Sequence, residues 1–293
     1  MRTIIPIIGI VILLGMSSAD PQENDIRALE DSLRNDPRNF EIISELCWTY
    51  LAQENYEPAS VLLKEYLEYD SANVAAIYLY GKTLDLSDNI LEATAYYLLA
   101  IERDSTFWRP YRDLAMIYDI FADYENTNRF MVDALRLSPR PESLYYEVGY
   151  SYDMLEEPDS ALIYYRLALK SDSTDSQASM NIGAIWGNRG EVDSARYYTE
   201  KSIRLSPDSP GASFNYAEIM TMSGDTVEAI TFFSRALALK SDLFAANKRL
   251  GELFEARGDS IMARIYFEEF LRAAPIVYAD DIDKIKSKLS RYK

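Results

Sequence analysis

Apolar and polar residues along this chain recur in a 34-residue frame, with copies starting at Phe40, Val74, Trp108, Glu142, Ser176, Pro210 and Phe244. Seven copies follow one another without an insertion. The seventh position is large and apolar throughout: Leu46, Tyr80, Leu114, Val148, Ile182, Tyr216 and Leu250. So are the eleventh (Tyr50, Leu84, Tyr118, Tyr152, Trp186, Met220, Phe254) and the twenty-eighth (Leu67, Ile101, Leu135, Leu169, Ile203, Leu237, Leu271). Two positions are small instead. The eighth holds Cys47, Gly81, Ala115, Gly149, Gly183, Ala217 and Gly251. The twentieth holds Ala59, Ala93, Thr127, Ala161, Ala195, Ala229 and Ala263.

Apolar residues three and four apart predict helices. Two antiparallel helices approach closely only where neither carries bulk. The two small columns therefore predict a helix pair in each copy. The sixteenth position is Asn, Asp or Glu in every copy, at the predicted start of the second helix. An oxygen there can accept a free helical N–H, and a carboxylate favours the positive helix end. Ser or Pro at the thirty-second position ends the pair. Residues 176–209 show the whole unit most clearly.

Outside the frame, residues 20–24 read as a polar leader. Ile26, Leu29 and Leu33 then line one face of a helix that Asp36-Pro37 stops, a lone second helix. After Pro275 a last helix is predicted over about residues 280–292. Ile282, Ile285 and Leu289 form its apolar face, and its acidic start and basic end complement the helix dipole. Such a helix caps the open end of an array. No linker or second domain shows.

The columns resemble the tetratricopeptide repeat, over residues 40–277. The resemblance implies an all-α, right-handed superhelical solenoid of helix–turn–helix repeats with a C-terminal capping helix. Its parts would be a leader and capping helix at 20–39, repeats at 40–73, 74–107, 108–141, 142–175, 176–209, 210–243 and 244–277, and the cap at 278–293. First helices would line a concave face and second helices would point outward. Each unit buries its apolar face only against neighbours, so stability is shared along the array.

Ligands of this family lie along the first-helix face, at the second, fifth, ninth, twelfth and thirteenth positions. These positions supply Trp48, Tyr78, Met116, Tyr146, Tyr150, Met154, Met180, Phe214 and Met222. Aromatics and methionines on an open surface suit protein interfaces. Packing between adjacent first helices is the other reading of the same residues. Lys82, Arg109 and Arg112 fall on this face too, and could hold a partner's carboxylate or pair with Asp85, Asp119 or Asp153. The family's dicarboxylate clamp needs Lys and Asn together at set positions. They do not occur together here, so that activity is not carried over.

Three further features read as structure. Of the four Tyr-Tyr pairs, three fall on second helices and read as interhelical core. Cys47 stands in a small column and reads as a buried packing residue. Aspartates at 172–175 and 280–283 lack the glycine and terminal Glu of a calcium loop. Thr127 departs from the alanine column, and Tyr66 and Phe270 put bulk where other copies are mostly Ala. The bulky pair suggests contact with terminal elements, and Thr127 a softer third copy.

The first residues add a location. Arg2, an apolar run at 4–14 and Ser17-Ser18-Ala19 read as a signal peptide over 1–19, cleaved after Ala19. An uncleaved membrane anchor is the alternative, though the run is shorter than the roughly 20 residues a spanning helix needs. Cleavage removes Arg2 as its only charge, leaving Asp+Glu 47 against the rest of Lys+Arg 30. The whole chain carries −17, which disfavours nucleic acid. There is no His and a single Cys. That excludes His-ligated metal sites, Ser-His-Asp triads and an intrachain disulfide. No catalytic residue, metal or small-molecule cofactor is expected.

The chain therefore reads as an exported, periplasmic or extracellular scaffold that binds a protein or peptide without catalysis. Membrane contact would come only through an uncleaved signal segment. A structural subunit docking through the outer face or array ends is one alternative. A regulatory module of an enzyme encoded elsewhere is another.

Overall fold

A computed structural model of the chain describes residues 21–290, with side chains from Asp25 onward. The expected signal segment, 1–19, and the last residues, 291–293, lie outside the described residues. The chain divides into two compact units, one ending at Ile117 and one beginning at Tyr118. No change of composition marks this division. It falls inside a helix of the third copy.

The first unit begins with α1 (Pro21–Asn35), so the helix takes in most of the expected polar leader. Its first residue is a proline, whose missing N–H costs nothing in a first helical turn. Two helix pairs follow, α2 (Phe40–Ala52) with α3 (Tyr56–Tyr69) and α4 (Val74–Leu86) with α5 (Ile90–Arg103). Helix α6 (Trp108–Ile120) carries the division.

The second unit continues with α7 (Tyr124–Leu137), then α8 (Tyr145–Met154) with α9 (Pro158–Ser171) and α10 (Ser176–Asn188) with α11 (Val192–Leu205). Next come α12 (Pro210–Met222) with α13 (Thr226–Leu239) and α14 (Phe244–Ala256) with α15 (Ser260–Ala273). The last helix is α16 (Ala279–Leu289). Consecutive helices from α1 to α5 and from α7 to α16 pack on one another, and no strand occurs among the described residues. Each unit is an all-α stack of helix pairs, the tetratricopeptide solenoid architecture.

The small columns are buried as close-approach positions. Every alanine of the twentieth column is fully buried, as are Cys47, Ala115 and Ala217 of the eighth. Burial pushes the Cys47 thiol up to about 12, so it stays protonated and inert. A β-carbon on Gly251 would lie 2.5 Å from the Phe267 ring, and one on Gly149 2.7 Å from the Tyr165 ring. Thr127 fits its small column because its hydroxyl donates to Asp123 O at 2.9 Å within its own helix. Phe270 meets the terminal helix as expected, in a cluster with Ile285. Tyr66 packs instead on Phe40, with ring centroids 5.0 Å apart.

Four local expectations change. The fourth copy opens with a 3-10 turn, Pro141–Leu144, before α8. Pro139 and Pro141 flank Arg140, and a residue before proline is pushed out of helical geometry. Another 3-10 turn, Ile276–Tyr278, precedes α16. At the sixteenth position only the aspartates cap through their side chains: Asp123, Asp225 and Asp259 accept from the N–H three residues on. Asn55, Asn89, Glu157 and Glu191 make no such bond. Lastly, Tyr197 of the Tyr197-Tyr198 pair is 60% exposed rather than core, because it stands two places earlier in the frame than the buried Tyr97 and Tyr165.

The turn between paired helices needs a left-handed residue. Gly190, Gly224 and Gly258 supply it in the last three copies. Glu54, Asp88, Ala122 and Glu156 hold the same conformation in the first four, with φ between 57 and 67°. A β-carbon there costs about 1–2 kcal/mol. Glu156→Gly is therefore expected to raise stability by about 1 kcal/mol in urea unfolding, the gain being trimmed by glycine's greater unfolded-state freedom.

Candidate functional site

In the first unit the first-helix face is α2, α4 and the start of α6. Trp48 on α2 is 44% exposed and Met116 on α6 is half-exposed. Tyr78 is buried, and its hydroxyl donates to Asp113 Oδ2 at 2.9 Å. Arg112 forks onto Asp113 Oδ1 from Nε and Nη2, at 3.1 and 2.8 Å. Lys82 lies 3.3 Å from Asp85 and 3.5 Å from Asp113. The Tyr97 hydroxyl closes the network by donating to Asp85 Oδ2 at 3.0 Å. Burial, together with the two carboxylates, pushes the Tyr97 phenol far above its ordinary value.

For three residues this network decides between the two readings. Tyr78, Lys82 and Arg112 are committed inside the fold and offer little to a partner. The cause is Asp113, whose side chain has no solvent exposure. A buried carboxylate must be paired and hydrogen-bonded, and it draws in the nearest donors. Arg109 stays exposed, its guanidinium 5.6 Å from the Trp108 ring centroid. Sequence reasoning missed Asp113. The signal was there: the sixth position of each copy is polar in six of seven (Glu45, Asp113, Glu147, Asn181, Asn215, Arg249), beside the apolar seventh.

In the second unit the face is formed by α8, α10, α12 and α14. Tyr146 is half-buried, tilted on Tyr165 at 5.7 Å, with its hydroxyl 3.5 Å from Asn181 Nδ2. Burial pushes its phenol up to about 12. Tyr150 and Met154 are half-buried. Phe214 packs edge-on against Phe233 at 5.3 Å, so its ring belongs largely to the core edge. Met222 is 47% exposed.

Two carboxylates accompany these rings. Burial raises the pKa of Asp119, partly offset by a hydrogen bond from the Tyr150 hydroxyl. Its Oδ1 is buried with no hydrogen-bond donor among the described residues. Burial likewise raises Asp153, offset by Tyr165. Toward the C-terminal end the face is closed by ion pairs. Arg249 forks onto Glu218 and reaches Glu252 at 3.0 Å. Lys248 pairs with Asp281, and Lys288 with Glu255, each at 2.6 Å.

Among the described residues no three His, Cys, Asp or Glu side chains converge to hold a metal ion. No described helix is long and apolar enough to cross a membrane.

Comparison with known proteins bears on this face. One tetratricopeptide-repeat family model matches residues 187–244 and another matches 142–175. No curated protein matches the chain. Among solved structures, the chain is similar to YrrB, a tetratricopeptide protein with an unusual peptide-binding site. Identity is 21% and the TM-score 0.55, over 63% of this chain and 95% of YrrB. A tetratricopeptide repeat protein from Parabacteroides merdae matches at 16% identity and TM-score 0.62, over 86% of this chain and 98% of its own. The APC/C hetero-tetramer Cut9–Hcn1 matches at 13% identity and TM-score 0.66, over 90% of this chain and 52% of the matched chain. At these identities the likeness concerns the fold. Repeat matches in two stretches, helix pairs in phase with a 34-residue frame and neighbours of the same architecture lead to one assignment. Residues 142–175 and 187–244 are tetratricopeptide repeats and the helix pairs around them share that fold, a family whose members are in general non-catalytic scaffolds for protein interaction.

Proposed function

We propose that this chain is an exported, non-catalytic scaffold that binds a protein segment on the first-helix face of its second unit. A cationic side chain of the partner would sit against Asp119, Asp153 and the Tyr150 ring. Asp119 is the observation that carries this reading. It holds a carboxylate at a desolvation cost, with one buried oxygen lacking a donor. A buried acceptor left unpaired costs stability, so retaining it suits a donor that arrives with a partner. Lys or Arg supplies both the donor and the charge.

The surroundings support the reading. Tyr150, Met154 and Met222 offer adaptable apolar contact beside the carboxylates. Helices already fixed by packing lose little freedom when a segment docks. YrrB, similar in fold, carries a peptide-binding site. The charge of −17 favours a basic partner over a nucleic acid.

Asp119→Asn separates binding from stability. A folded pKa raised above the ordinary 3.8 means the neutral form is favoured. That contribution is complete below 3.8 and is lost as pH rises through the folded value. At neutral pH the variant is therefore expected to melt higher than the parent, with the gap closing in acid. Partner capture is expected to fall at the same time. Unchanged capture by the variant would sink the reading.

A second reading has its own observation. Second helices of the second unit leave Ile163, Tyr197, Val227, Ile261 and Ile265 exposed. Three of these share the twenty-second position and two the eighteenth. That row suits docking through the outer face, as a structural subunit would. Crosslinking and mass spectrometry of the native protein distinguishes the two by which face carries the crosslinks. The same spectra test export, which requires a chain starting at Asp20 rather than Met1.

A further inference from the structure

The sixth residue of a first helix repeatedly takes its partner from the preceding first helix. Tyr78 on α4 reaches Asp113 on α6, Tyr146 on α8 faces Asn181 on α10, and Glu218 on α12 takes Arg249 on α14. Each partner stands at the fifth or ninth position of its own copy. Glu45 is the sixth residue of α2, and among the described residues no first helix precedes it.

Helix α1 packs on α2 as the second helix of one pair packs on the next first helix. The Tyr50 hydroxyl anchors it by donating to Glu30 at 2.9 Å. Among the described residues no helix fills the place of its own first helix. There lies a cavity of about 780 Å³ lined by Asp25, Glu41, Glu45, Trp48 and Ala52 among others. An adjoining space of about 310 Å³ reaches Ala28 and Leu29 on α1.

The other end of the chain is the inverse. Helix α16 packs as a first helix, through Ile282, Ile285 and Leu289, and no second helix follows it among the described residues. The 3-10 turn Ile276–Tyr278 delays its register by two residues. Ile282 and Leu289 then stand where α14 has Ala246 and Leu253. In this register Lys284 takes the fifth position, Lys288 the ninth, and Ser287 the small eighth. Lys284, Lys286 and Ser287 are exposed.

We propose that α16 of one copy docks into the open first-helix place beside α1 of a second copy. An unpaired first helix and an unpaired second helix would together complete one hybrid repeat. Lys284 would meet Glu45 in the relation that Tyr78 bears to Asp113. The charges agree beyond that pair, with Asp25, Glu41 and Glu45 at one end and Lys284 and Lys286 at the other. The two surfaces differ, so the contact is heterologous and joins copies head to tail. Its exposed ion pairs make it salt-sensitive.

Sedimentation velocity of the chain as its host processes it tests the proposal. The average mass is expected to rise continuously with concentration and to fall back in high salt. Glu45→Lys alone and Lys284→Glu alone should each remain monomeric, with unchanged circular dichroism, because both then set like charges at the junction. An equimolar mixture of the two variants should associate again, since every junction regains opposite charges. A parent chain that stays monomeric, as it would if its own N-terminal segment fills the place, overturns the proposal. So does a discrete closed dimer, association of either variant alone at the parent's level, or a mixture that stays monomeric.

Discussion

Asp113→Ala is expected to destabilise the first unit by about 3 kcal/mol, the lower end of the roughly 3–5 kcal/mol seen when one partner of a buried ion pair is removed. The carboxylate is fully enclosed and serves three donors, Tyr78, Arg112 and Lys82. Its loss leaves the Tyr78 hydroxyl buried without an acceptor and Lys82 with only Asp85. Water softens the effect, because Lys82 keeps 16% and Arg112 32% of their side-chain exposure. Urea unfolding of the variant gives the magnitude. Adding Lys82→Met should cost less in the Asp113→Ala background than in the parent chain, since the two groups share one network. A loss below about 1 kcal/mol would show that the network is solvated rather than buried.

The second large effect lies at Phe267. Its ring is fully buried between Gly251 and the cluster that holds α16, and Lys288 Nζ stands 5.5 Å from its centroid. Truncating such a ring to Ala costs about 3–5 kcal/mol through lost transfer energy and a residual cavity. Phe267→Ala should also loosen α16, which limited proteolysis of the C-terminal end would detect. The neighbouring glycine sharpens the test. Helix propensity alone makes Gly251→Ala favourable by about 1 kcal/mol. With the ring in place the new methyl would sit 2.5 Å from ring carbons, and overpacking of that kind costs about 1–3 kcal/mol. Gly251→Ala should therefore destabilise the parent chain and stabilise the Phe267→Ala variant. The same sign in both backgrounds would refute the close-approach account of the small columns.

Much of the candidate site was legible as a list of positions and little of it as a set of partners. Trp48, Met116 and Met222 stand accessible on first helices, where the family frame put them. Tyr78 occupies another position of the same expected face and is buried, because Asp113 lies on the next first helix at hydrogen-bonding distance. Lys82 found Asp85, one of the partners foreseen for it, while Arg112 took its own neighbour Asp113. Asp119 was foreseen as a partner for a cation. It stands instead beside Tyr150 with an oxygen unanswered.

The sequence by itself determined the helices, their pairing and the columns that pack. Those depend on backbone hydrogen bonding and on side-chain size within about one repeat, and a 34-residue frame prints both on the chain. The tertiary structure alone decided how the charged and hydroxyl groups are shared. Tyr78 and Asp113, or Glu218 and Arg249, meet only once successive first helices stack in register. Charge and hydrogen bonding act across space among many competing donors and acceptors, and no local period records which pair wins.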